Sequence, residues 1–180
     1  MGPVNSAKLN SAIHNQFQAL QELLRQGEAR RAVLEAEALL QNRLSEPQRA
    51  FSLQYLGEAR RAVGDRSGAL EAWVSSLGKR YSPQVAFMAL ELWLLPVVEW
   101  PASDQWQAVM GRMVQHGNGA ALLRQLSIWL PQLPLASERR RLINAIDASG
   151  VLVSAEAEDL SRIWLRLKQL TNGKPGEGDG

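Results

Sequence analysis

The feature that most limits what this chain can fold into is its punctuation. Apolar residues recur at helical spacing in short segments, and each segment closes on a glycine, a proline or a Ser/Asp/Asn cap. Ile13, Phe17, Leu20 and Leu24 share one face of a first helix predicted from about Leu9 to Gln26, stopped by Gly27. Ala32, Val33, Ala36, Leu39 and Leu40 mark a second. Ser45-Glu46-Pro47-Gln48 puts Ser at an N-cap with Gln three residues on, a capping-box pattern that opens a third helix reaching Val63. Gly64-Asp65 turns the chain into a fourth, whose stripe is Ala69, Leu70, Trp73, Val74 and Leu77. Pro83 opens a fifth, because its missing N–H is harmless in the first turn. Ser103-Asp104 caps a sixth with Trp106, Val109, Met110 and Met113, and His116-Gly117-Asn118-Gly119 turns it into a seventh with Leu122, Leu126, Trp129 and Leu130. Ser137 and Ser154 open an eighth and a ninth. Short helices joined by short turns lie antiparallel, so the expected fold is all-α, about nine helices stacked as hairpins in a short α-solenoid.

Composition agrees with that grammar. Leu (28) and Ala (23) far exceed Val (11), Ile (5) and Thr (1), the reverse of what a sizeable sheet requires. A length of 180 residues suits one helical domain, expected over 9–170, with repeat-like hairpins over 9–80 and apolar, Trp-bearing and capping helices over 81–170. Residues 1–8 are expected to be flexible. The tail 171–180, TNGKPGEGDG, has nothing to bury and is expected to be disordered.

Several function classes lose support at this point. Twenty basic against eighteen acidic side chains leave a net charge of +2, too even for a general nucleic-acid tether. Cysteine is absent, which removes disulfides and thiol chemistry. His14 and His116 stand far apart with no metal-ligand spacing around either, and no zinc-protease, nucleophile-elbow, P-loop or dinucleotide motif occurs. We therefore assign no catalytic residue, no metal and no cofactor. Gly117-Asn118-Gly119 reads either as an anion-binding helix start or as a plain turn, and the missing preceding strand favours the turn. No secretory leader pattern is read, so a cytoplasmic location is expected. The apolar run Val85–Val98 contains Glu91 and Pro96 and falls short of the roughly 20 residues that span a bilayer, so it reads as a buried helix.

Residues 50–83 resemble the tetratricopeptide repeat, a helix-turn-helix unit. Ala50, Leu53, Leu56-Gly57, Gly64, Ala69, Trp73 and Leu77 fall at that motif's spacing, with Ser76 at a small-residue place and Pro83 close behind. Arg60 departs from it, standing where an aromatic or Leu is usual. A weaker match covers 13–46 through Leu20, Leu23, Gly27, Ala32, Ala36 and Leu40. Residues 82–115 keep the hairpin rhythm but lose the small-residue code at Glu91 and Val98. The heptapeptide Gly-Glu-Ala-Arg-Arg-Ala-Val occurs at both 27–33 and 57–63, but it matches an inter-helix turn with a mid-helix position and defines no repeat.

The resemblance implies a non-enzymatic adaptor or chaperone-like module that holds a peptide or protein in a groove. That groove would be lined by His14, Phe17, Gln21 and Arg25, then by Phe51, Gln54, Glu58 and Arg61. The basic clamp that some family members use for a C-terminal carboxylate is missing, since Phe17, Gln21 and Tyr55 stand in its places. A second reading starts from the charge-poor block 81–135, which carries Trp93, Trp100, Trp106 and Trp129. If other helices do not cover it, the block is a permanent partner or homo-oligomer interface anchored by Trp100 and Trp106. A third gives Arg139, Arg140 and Arg141, with Arg30, Arg31, Arg60 and Arg61, to an anionic ligand such as nucleic acid or phospholipid. The macrodipole disfavours cations in a helix's first turn, a cost tolerable on a solvated surface beside Glu138, and that plain reading is favoured for the Arg triplet.

Overall fold

A computed structural model describes residues 3–94 and 103–129 together with Asn144, Leu165 and Gln169; side chains are described over 11–93 and 108–126 and at 128, 129, 144, 165 and 169. Among the described residues there are seven helices and no strand: α1 (Pro3–Arg25), α2 (Ala29–Leu40), α3 (Glu46–Ala62), α4 (Arg66–Lys79), α5 (Pro83–Leu94), α6 (Ser103–Gln115) and α7 (Gly119–Trp129). They correspond in order to the first seven expected helices. The eighth and ninth lie outside the described residues, as do Trp100 and Arg139 to Arg141, and of Trp106 only the helical backbone is described. The chain divides into two compact units, Met1–Leu92 and Trp93–Gly180.

Three hairpins turn in the same way. Gly27, Gly64 and Gly117 all have positive φ, of 77°, 90° and 75°, which glycine adopts without steric cost. Around each, the residue before the glycine, the glycine itself and the residue after it donate N–H groups back four, three and five residues. In the second turn Val63 donates to Ala59, Gly64 to Arg61 and Asp65 to Arg60. In the third, His116 donates to Arg112, Gly117 to Val114 and Asn118 to Met113. These bonds satisfy the orphan carbonyls at the end of one helix and aim the chain into the next. The 82–115 register placed a third turn outside the described residues, whereas the shared geometry recurs between α6 and α7.

Local signals set the other boundaries. Ser45 forms a full capping box, its Oγ accepting from the Gln48 N–H while the Gln48 side chain accepts from the Ser45 N–H, worth about 1 kcal/mol. Asp65 caps α4 by accepting from the Gly68 N–H at 2.9 Å. The first helix begins at Pro3, ahead of the expected Leu9, with proline again in the first turn.

Packing follows residue size. In the α3–α4 hairpin, α3 presents the small residues Ala50 and Gly57, and α4 brings Trp73, fully buried, against Gly57. A methyl group on Gly57 would overlap the Trp73 indole. The indole N–H donates to the Gln54 carbonyl at 3.2 Å, and the Ser76 hydroxyl donates to the Ala50 carbonyl at 2.8 Å, so both buried polar groups of α4 are satisfied across the hairpin. Counted from the turn glycine, the places of Gly57 and Trp73 belong in the first hairpin to Leu20 and Ala36, both in one core cluster with Leu23, Ala32 and Leu39. Large and small have changed sides. In α6–α7 the same places hold Met110 and Leu126, both fully buried.

Arg60 explains its own departure from the repeat pattern. The corresponding places hold Leu23 and Met113, both buried. Arg60 instead extends from α3 to donate to Glu37 of α2 at 2.9 Å and to the Gly68 carbonyl of α4 at 3.2 Å, tying one hairpin to the next. The two copies of the heptapeptide play different parts, as a turn with the start of α2 and as the end of α3. Glu91 is exposed, so it needs no buried counter-ion.

The Gly57–Trp73 contact is testable by sign. Gly→Ala within a helix ordinarily stabilises by up to about 1 kcal/mol. Gly78, in α4 with open space where a Cβ would sit, should follow that rule. Gly57→Ala should instead destabilise by about 1–3 kcal/mol through overpacking, and urea denaturation of the two variants reads the opposite signs.

Candidate binding groove

Helices α1, α3 and α5 border one open recess of about 610 Å³. Its walls are Gln18, Gln21, Glu22, Leu24 and Arg25 of α1, Gln54, Tyr55 and Glu58 of α3, and Gln84 of α5. Four of the residues expected from the sequence meet there: Gln21, Arg25, Gln54 and Glu58. They converge because positions three and four apart on a helix share a face, and because α1 packs on α3.

The remaining expected residues are placed as follows. Phe17 and Phe51 lie beside the recess, with ring centroids 6.1 Å apart, and Phe17 is also 6.1 Å from Tyr55. These tilted geometries are favourable for aromatic pairs. Phe51 is 41% exposed, and the Arg80 guanidinium lies 5.1 Å from its ring centroid. His14 is exposed and accepts at Nε2 from the Gln18 amide at 3.2 Å. Arg61 does not line the recess; its guanidinium lies 5.7 Å from the Trp73 ring centroid.

Electrostatics set the recess apart from a generic polar surface. The Arg25 guanidinium, followed by the Gln26 amide, holds the Glu22 carboxyl below its ordinary value, and Glu22 in turn raises Arg25. That ion pair is internally compensated. Glu58 accepts from the Gln54 amide at 3.2 Å and forms no ion pair among the described residues. Burial, reinforced by the Glu58 charge and opposed by a side-chain hydrogen bond with Gln21, pushes the Tyr55 phenol up, so it remains a neutral donor at ordinary pH. Four carboxamides, each able to donate and accept, complete the lining.

Gln18, Gln84, Glu22, Leu24 and Tyr55 were not assigned to the groove from the sequence. Gln84 is a polar residue in the first turn of a largely apolar helix, which marks it as surface but does not point to this recess. Gln18 sits beside Phe17 off the apolar stripe and carried no signal. No three His, Asp or Glu side chains group as metal ligands among the described residues. No described helix is long and apolar enough to cross a membrane. In the Gly117-Asn118-Gly119 segment, the N–H groups of Gly117 and Asn118 are already donated within the turn. No family model matches the chain, and no curated protein or solved structure matches it either.

The Glu22 pair yields a pH signature. A carboxyl held lower in the folded state contributes stability that is present above its ordinary value of 4.5 and lost as pH falls through the lowered value. Glu22→Gln should therefore melt below the parent at pH 7, and the two curves should converge as the pH drops below 4.5. Thermal melts by circular dichroism at a series of pH values check this.

Proposed function

We propose that the chain is a non-enzymatic binding module that holds a segment of another protein along the surface of α1, α3 and α5. The observation that carries this reading is the recess itself, where side chains from three consecutive odd-numbered helices meet without filling the space between them. Four carboxamides there suit the amide groups of a peptide. The exposed Phe51, continuous with Phe17 and Tyr55, suits an apolar side chain. A tetratricopeptide-like arrangement, with hairpins stacked so that each first helix lines one surface, accounts for this convergence.

Of the arginines in the anionic-ligand reading, Arg139 to Arg141 lie outside the described residues, and three of the others are already engaged. Arg31 pairs with Glu28 at 2.8 Å, Arg60 is bonded to Glu37 and the Gly68 carbonyl, and Arg61 lies over Trp73. Those three cations are the less available to a polyanion.

The test is affinity capture from cells of the source organism, with bound proteins quantified by mass spectrometry. Phe51→Ala combined with Gln54→Ala should reduce recovery of the specific partner about tenfold, in line with loss of an aromatic anchor and its neighbour. Leu34→Ala, an exposed change on α2 away from the recess, should leave recovery unchanged. Equal recovery by all three proteins would remove the groove from the account.

A further inference from the structure

The groove reading leaves open which peptide it takes, and the arrangement of charge and aromatic rings narrows the choice. We infer that the recess selects an extended segment carrying a Lys or Arg three residues from a large apolar side chain, the cation paired with Glu58 and the apolar group seated on Phe51. This rests on the groove reading and adds ligand chemistry to it.

Charge comes first. Of the three ionised groups in the recess, Arg25 and Glu22 neutralise one another, which leaves Glu58 as the uncompensated charge. A half-buried carboxylate answered only by a neutral amide is a strong acceptor for a guanidinium or ammonium. An acidic peptide would meet Glu58 as a like charge.

Spacing comes second. Phe51 and Glu58 stand two turns apart on α3, a rise of about 10.5 Å. An extended polyproline-like chain covers about 9.3 Å in three residues and returns its side chain to the same face. The match is within side-chain reach.

Backbone state comes third. A helix satisfies its own main chain and would leave the amides of Gln18, Gln21, Gln54 and Gln84 facing side chains alone. An extended segment presents unpaired N–H and C=O groups that those carboxamides can meet from both sides.

The experiment is selection from a random twelve-residue peptide display library on the full chain, repeated on Glu58→Lys and Phe51→Ala, with circular dichroism confirming that each variant folds. Enrichment of a basic residue three places from Leu, Met or an aromatic, replaced by an acidic residue on Glu58→Lys, is the expected result. The chosen peptide should bind Glu58→Gln about tenfold more weakly than the parent, the worth of one charge-assisted hydrogen bond. Enriched peptides that depend on Phe51 but lack a basic residue, or are indifferent to Glu58→Lys, overturn this inference and leave the groove reading standing. Failure to enrich any sequence on the parent overturns both.

Discussion

The fit of Trp73 against Gly57 is the contact on which the rest of the first unit depends. Removing a buried Trp side chain costs about 3–5 kcal/mol, a large part of the 5–15 kcal/mol that holds a typical domain together. The indole fits only because α3 offers a position without a Cβ. Its N–H is satisfied by the Gln54 carbonyl, so no polar cost offsets the burial. Residue 54 thereby joins two roles, its backbone fixing the hairpin and its side chain lining the recess and bonding Glu58. Packing on one face of α3 and the lining of the recess on another are linked through a single turn of helix.

The same turn supports three different ways of filling a hairpin. The glycines at 27, 64 and 117 impose one backbone path, and the paired places are then filled as large with small, small with large, or two of middle size. The turn fixes the backbone path and leaves the sizes at the two places free to vary. Arg60 shows a further freedom. Where its counterparts bury an apolar side chain, it reaches past the core, exchanging that hydrophobic contact for one hydrogen bond to Glu37 of the preceding hairpin and one to the Gly68 carbonyl of its own.

Some of this was legible from residues alone, and the reason is local physics. Positive φ at a turn calls for glycine, so Gly27, Gly64 and Gly117 announced the turns; Ser45 and Gln48 announced a cap because both partners lie within one turn of helix. The size match of Gly57 and Trp73 was readable because a repeat-like spacing says which positions face one another. The role of Arg60 was not readable, since its partner Glu37 lies 23 residues away and nothing local points to it. Long flexible side chains defeat spacing arguments in the same way. Arg61 shares a helix face with Glu58, yet its guanidinium settles over Trp73 and stays out of the recess. Gln84 entered the site only because α5 brings its first turn to α1 and α3, a tertiary fact.

The central claim is that ligand contact belongs to the surface shared by α1, α3 and α5. Photo-crosslinking tests it most directly, with a benzophenone amino acid placed in turn at Gln21, Gln54 and Gln84, and at Leu34 and Glu71 on exposed parts of α2 and α4. The account predicts that the same partner segment is captured from all three recess positions and from neither of the others. Capture from Leu34 or Glu71, with none from the recess, would contradict it.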